Sequence, residues 1–166
     1  VRVLGIDPGL RLTGYACVEG DERRPRIVEA GVFRLVRGSG EAPPIADRLD
    51  ELERDLRGVI ERSRPDSAAV ESLFAHFKHP ATAMLMAHAR GVILLTLRRA
   101  GIVPIELAPR SVKLAMTGSG RAGKRQVQAS VATVYGLVAP PSPADVSDAL
   151  AIAFAAMVRG RGADMV

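Results

Sequence analysis

Asp145 and Asp148 stand three residues apart at the start of a segment otherwise made of Ala, Ile, Leu and Phe, where packing has no use for a charge. On a helix, positions i and i+3 lie about 60° apart around the axis, so both carboxylates face one way. Two more acids sit where apolar strands should end. Asp7 follows Leu4-Gly5-Ile6 and precedes Pro8-Gly9, and Glu71 closes a short run of Ala and Val. Four carboxylates brought together repel one another, and divalent cations are the natural remedy. Oxygen-only ligands point to Mg²⁺ or Mn²⁺ over zinc. Two such ions, about 3.5 to 4 Å apart, would activate a water and stabilise the leaving oxygen of a phosphodiester, the chemistry of in-line hydrolysis. Taken singly, each acid has a plainer account. Asp before Pro-Gly is common turn chemistry, Glu71 is compatible with a strand-end surface position, and Asp145 suits the positive end of a helix dipole.

The elements that must position these acids follow from periodicity. Residues 1–7 form a short apolar strand broken by Pro8-Gly9, and 13–18 resume as a second strand. Residues 26–36 make a third, with Ile27, Glu29, Gly31 and Phe33 on one side and Val28, Ala30, Val32 and Arg34 on the other. Ile45, Leu49, Leu52, Leu56, Val59 and Ile60 recur at helical spacing up to Arg64-Pro65, which stops the helix. A buried strand over 67–71, a very apolar helix over 81–100 and a fifth strand over 102–107 come next. Helices over 110–115, 124–135 and 143–158 complete the chain. A three-strand antiparallel meander followed by strands alternating with helices is an α/β layout, a five-stranded mixed sheet flanked by helices. Catalytic groups in such sheets gather at the carboxyl ends of strands, where Asp7 and Glu71 stand.

Bulk properties set the class. At 166 residues, one domain over 1–166 is the default. The 23 Lys and Arg against 18 Asp and Glu leave a charge of +5, a mild tilt toward a polyanion such as nucleic acid. Cys17 is the single cysteine, so no internal disulfide can form. The longest uncharged apolar run, Val92 to Leu97, falls far short of the roughly 20 residues of a membrane span, and no signal segment opens the chain. A soluble cytoplasmic protein is expected.

Gly5-Ile6-Asp7-Pro8-Gly9, then Thr13-Gly14-Tyr15, Glu71-x-x-Phe74 and Asp145-x-x-Asp148-Ala149-Leu150-Ala151-Ile152-Ala153 appear in order across nearly the whole chain. Together they resemble the bacterial RuvC family. The resemblance implies an RNase H-like fold and a homodimer. It implies Mg²⁺-dependent, symmetric cleavage of Holliday junctions in recombination and repair, leaving nicks that a ligase can seal. Position by position, Asp7, Glu71, Asp145 and Asp148 resemble the family's metal-binding catalytic set; some relatives carry histidine where this chain has Asp145. Phe74 resembles the aromatic that stacks on an unpaired base near the crossover, an interaction worth about 1 to 3 kcal/mol. Lys113 and Lys124 match basic residues near the scissile phosphate, and Arg110, Arg121 and Arg125 would extend that surface, although plain solvated charge explains any one of the arginines as well. A branch-migration motor of the RuvA and RuvB type is the partner such a resemblance suggests.

Other signals lead elsewhere. Gly118-x-x-x-x-Gly123-Lys124 copies most of a phosphate-binding loop, but Arg125 stands where Ser or Thr would hold Mg²⁺, and the preceding segment reads as helix. His76, His79 and His88 lack acidic or cysteine partners at zinc spacing. Gly-Ile-Asp-x-Gly also opens actin-like ATPases, which pair two such domains and have no need of the late Asp-x-x-Asp. A non-catalytic junction-binding module would gain nothing from four acids beside phosphate. The apolar helix over 81–100 is in part core, and a dimer formed along it would suit cleavage of two strands related by two-fold symmetry.

Overall fold

The computed structural model describes residues 1–38, 40–72 and 80–163. Five strands form one sheet: β1 (Arg2–Asp7), β2 (Leu12–Glu19), β3 (Arg26–Arg34), β4 (Ser67–Glu71) and β5 (Pro104–Leu107), in the order β3-β2-β1-β4-β5. β1, β2 and β3 pair antiparallel as the predicted meander, and β4 and β5 join β1 in parallel. The helices are α1 (Ile45–Ser63), α2 (Pro80–Arg99), α3 (Pro109–Thr117), α4 (Lys124–Val134) and α5 (Ala144–Ala163).

Strand alternation divides the core in two. Leu4, Ile6, Cys17, Ala68 and Val70 turn to one face and pack with Leu52, Leu56 and Val59 of α1 and Ala89, Ile93 and Leu97 of α2. Val3, Ala16, Val18 and Ala69 turn to the other face, under Ala149, Leu150, Ile152 and Ala153 of α5 and with Val112, Met116, Val127 and Val131 of α3 and α4. Complete burial of a Leu or Ile side chain stabilises by about 1.5 to 3 kcal/mol, so each layer carries a substantial share of the fold. By the same alternation Asp7, two residues beyond Gly5, and Glu71, two beyond Ala69, point to the α5 face.

The ends of elements depart from the sequence reading for local reasons. Gly101 takes φ 79°, its N–H donates to Arg98 O, and Ile102 N–H donates to Leu97 O. This is a glycine-terminated helix cap that uses Ile102, so β5 begins at Pro104 and not at 102. β3 ends at Arg34, two residues short of the expectation. Its pairing with β2 slips between Cys17 and Val18, which face Glu29 and Ile27, so Val28 is an extra, unpaired residue. The simple alternation expected through 27–34 therefore breaks at Val28, and Ile27 and Val28 are both exposed. α1 stops as expected, with Arg64 in the left-handed region donating its N–H to Ile60 O.

Candidate active site

β1 and β4 are parallel neighbours with Ile6 opposite Val70, so Asp7 and Glu71 stand side by side one residue further on. The third element is α5, and two glycines decide how close it comes. A Cβ on Gly5 would lie 2.3 Å from Ala149 O, and one on Gly14 would lie 2.1 Å from Asp145 O. Gly14 pairs with Asp7 across β1 and β2. Missing side chains at these positions let the helix backbone rest on the strands, with its first turns over the carboxyl end of β1.

Asp7, Glu71 and Asp148 line one cavity of about 280 Å³, walled by Pro109, Val112, Val127 and Ala151 and entered by Lys113 and Lys124. Asp7 is pushed up to about 8, first by burial and then by Glu71, Asp148 and Asp145, with Lys124 acting in the opposite sense. Burial and Asp148 raise Glu71, which Lys113 offsets. Asp148 is raised by burial, and Lys124, whose Nζ lies 3.4 Å from Asp148 Oδ2, pulls it back. The repulsion expected from the sequence is therefore present.

The fourth acid takes a different place. Asp145 lines an adjoining cavity that it shares with Asp7, and it does not line the cavity of Glu71 and Asp148. Helical spacing brought Asp145 and Asp148 to one side of α5, yet Asp7 sits between their two openings. Among the described residues no three His, Cys, Asp or Glu side chains are gathered tightly enough to hold an ion as they stand. The donor set still fits a hard divalent cation: the groups are carboxylate oxygens, largely buried, mutually repelling and, among the described residues, compensated by Lys113 and Lys124.

Of the expected basic residues, Lys113 and Lys124 reach the cavity. Arg110, Arg121 and Arg125 are exposed and do not line it. Arg110 lies across Gly120, whose added Cβ would meet Arg110 Cγ at 2.7 Å. Gly118 to Gly123 connects α3 to α4, so no strand precedes the phosphate-loop look-alike. Phe74, His76 and His79 lie outside the described residues; His88 is exposed on α2. Sequence reasoning missed the apolar walls, Val112, Val127 and Ala151, which carry no chemical signal beyond helical periodicity. It also missed Arg11, Arg34 and Arg48, which line the second cavity.

The chain is similar to known proteins over nearly its whole length. The family described as "Crossover junction endodeoxyribonuclease RuvC" matches residues 3–156. A protein of that name from Chloroflexus aggregans is 45% identical over 153 residues, 92% of this chain and 90% of that one. The structure of Thermus thermophilus RuvC superposes with a TM-score of 0.85 at 30% identity, covering 98% of this chain and 97% of that one. T. thermophilus RuvC in complex with Holliday junction substrate gives 0.87 at 29% identity, with 97% and 96% covered.

Proposed function

Since the chain belongs to the RuvC family of crossover junction endodeoxyribonucleases and shares its RNase H-like fold, we propose that it resolves Holliday junctions in recombination and repair. The reaction is symmetric, metal-dependent hydrolysis of phosphodiester bonds that leaves ligatable nicks. One observation carries this reading: three carboxylates from β1, β4 and α5 meet Lys113 and Lys124 in one cavity at the carboxyl end of the sheet.

Asp7, Glu71, Asp145 and Asp148 are the catalytic and metal-holding residues, with Asp7 common to both openings. Two Mg²⁺ ions, for which Mn²⁺ substitutes, would supply the activated water and the charge stabilisation that phosphodiester hydrolysis needs. Lys113 and Lys124 hold the scissile phosphate against the carboxylates and offset charge as it grows on the phosphorus oxygens. Lys124 gives up Asp148 as it does so. The apolar walls keep bulk water from the reacting group, which strengthens each of these interactions. Phe74, three residues past Glu71, stacks on an unpaired base at the crossover. Arg110, Arg121 and Arg125 hold the DNA backbone further out, where their exposure suits a screened phosphate contact.

The whole of 1–166 acts as a single nuclease domain, and two copies act together. On α2 the exposed positions Met84, His88, Gly91 and Leu95 recur every three or four residues and form one stripe, with Met84 66% and Leu95 50% exposed. That stripe supports a homodimer whose two cavities meet the two strands to be cut. Among the described residues no helix is long and apolar enough to cross a membrane. The protein works in the cytoplasm with a branch-migration motor of the RuvA and RuvB type.

The test is cleavage of a synthetic four-way junction, with a linear duplex of the same sequence as control, by the intact protein and by Asp7→Asn in Mg²⁺ and in Mn²⁺. Paired nicks in the junction alone, lost in Asp7→Asn while junction binding survives, are the expected result. No cleavage with either metal would leave a binding module.

A further inference from the structure

The second cavity, about 580 Å³, is large enough for a nucleotide and is bordered by three arginines that the reaction described above does not use. Arg48, on the first turn of α1, is only 7% exposed. Its Nη1 donates to Leu10 O at 3.0 Å, while its Nε is buried without a hydrogen-bond partner. Among the described residues no carboxylate pairs with it. Asp7 and Asp145 line the same cavity, yet neither pairs with Arg48; a buried guanidinium left without an ion pair is costly, and an anion drawn in beside it would relieve it. Arg11 and Arg34 stand at the same cavity, both exposed and both without an ion-pair partner among the described residues. Arg11 comes from the turn between β1 and β2; Arg34 is the last residue of β3, opposite Leu12. Val36, Leu85 and Met86 give the cavity an apolar side.

Asp7 lines both cavities, so a strand whose phosphate rests at Asp7 has Lys113 and Lys124 on one side and the arginines on the other. We propose that the cavity of Arg11, Arg34 and Arg48 is a nucleotide subsite for the cleaved strand, next to the scissile phosphate and on the side away from the two lysines. The arginines take the neighbouring phosphate, and the apolar side takes its sugar and base. This inference rests on the junction-cleaving reading and adds a second grip on the same strand.

The experiment measures junction binding against salt in Ca²⁺, together with cleavage in Mg²⁺, for the intact protein, Arg11→Gln, Arg34→Gln and Arg48→Met. Arg23→Gln is the control, from the turn between β2 and β3 at the opposite end of the sheet. Each cavity variant should weaken binding roughly tenfold and reduce the slope of log K against log salt by about one, with the control unchanged. A single neutral methylphosphonate is then moved along the cleaved strand. One position adjacent to the cut should weaken the intact protein and have no further effect on Arg34→Gln. Arg48→Met should keep its melting temperature while losing affinity, because an apolar side chain of similar length replaces an uncompensated charge.

Cleavage by the intact protein with unchanged slopes in Arg11→Gln and Arg34→Gln would overturn the subsite and leave the junction reading standing. So would a methylphosphonate effect that is identical in the intact protein and Arg34→Gln. An intact protein that neither binds nor cuts a junction would overturn both.

Discussion

Gly14 and Asp145 meet backbone to backbone: a Cβ on Gly14 would stand 2.1 Å from the carbonyl oxygen of Asp145, in the first turn of α5. The contact sets the height of that turn above the strand carrying Asp7, to which Gly14 is paired. Gly14→Ala must therefore lift the helix end that bears Asp145 and Asp148. Overpacking of this kind costs about 1 to 3 kcal/mol, and a shift of about 1 Å at a catalytic group costs about 100-fold in rate. A folded Gly14→Ala protein with full junction-cleaving activity would show that the helix height does not matter.

Asp7 carries an electrostatic cost that metal should remove. Its carboxyl is buried and surrounded by Glu71, Asp148 and Asp145. In chelator at pH 7 a carboxyl pushed up to about 8 has to take up a proton as the chain folds, so Asp7→Asn, whose amide needs none, is expected to melt higher than the intact protein. Mg²⁺ should reverse that order: at a hundred times its Kd it adds about 2.7 kcal/mol to a protein that binds it only when folded. Calorimetric melts of both proteins, with and without Mg²⁺, decide the matter. A lower melting temperature for Asp7→Asn in chelator would contradict the strain argument.

Lys124 holds Asp148 at 3.4 Å and also faces Asp7. Removal of a single well-placed charge-stabilising donor typically costs about 100- to 1,000-fold in turnover. Lys124→Met is accordingly expected to lower kcat by about 100-fold, with junction affinity changed much less. Single-turnover cleavage at saturating protein separates the two; a loss confined to affinity would make Lys124 a backbone contact only.

Glu29 provides a pH-dependent contribution far from the cavity. Its Oε1 accepts from Arg62 Nη2 at 2.8 Å and from the Tyr15 hydroxyl at 3.1 Å, and these bonds hold its carboxyl below the ordinary value. A lowered folded-state pKa gives stability that is present above the unfolded value near 4.5 and is lost as pH falls through the folded one. Glu29→Gln should therefore melt about 1 to 3 °C lower at pH 7, a small effect because the pair is solvent-screened. The difference should shrink as the pH falls below about 4.5 and Glu29 takes up its proton. A constant gap across that range would assign the loss to packing.

Leu95, half exposed in the middle of α2, lies on the stripe proposed above as the homodimer contact. Leu95→Glu is expected to convert a dimer to a monomer in sedimentation at micromolar concentration and to uncouple the two nicks of a junction. An intact protein that sediments as a monomer would remove the dimer from the mechanism.

Much of this protein is determined by its sequence alone. Apolar alternation and helical spacing locate every described strand and helix to within a few residues, because burial on a sheet face or a helix stripe leaves a periodic trace. Asp148 stands out for a related reason, as a charge in an otherwise apolar segment, whereas Asp7 and Glu71, each open to a turn or strand-end account, stand out as members of a set. The missed boundaries belong to interactions with no periodicity, such as the cap that consumes Ile102 and the bulge at Val28. Tertiary structure alone decided the rest. Spacing shows that Asp145 and Asp148 share a side of α5, but only the placement of α5 on the sheet shows that they line different cavities. Arg11, Arg34 and Arg48 belong to no motif along the chain. They become a cluster because a turn, a strand end and a helix start converge in space, and convergence of distant segments leaves no mark on local order.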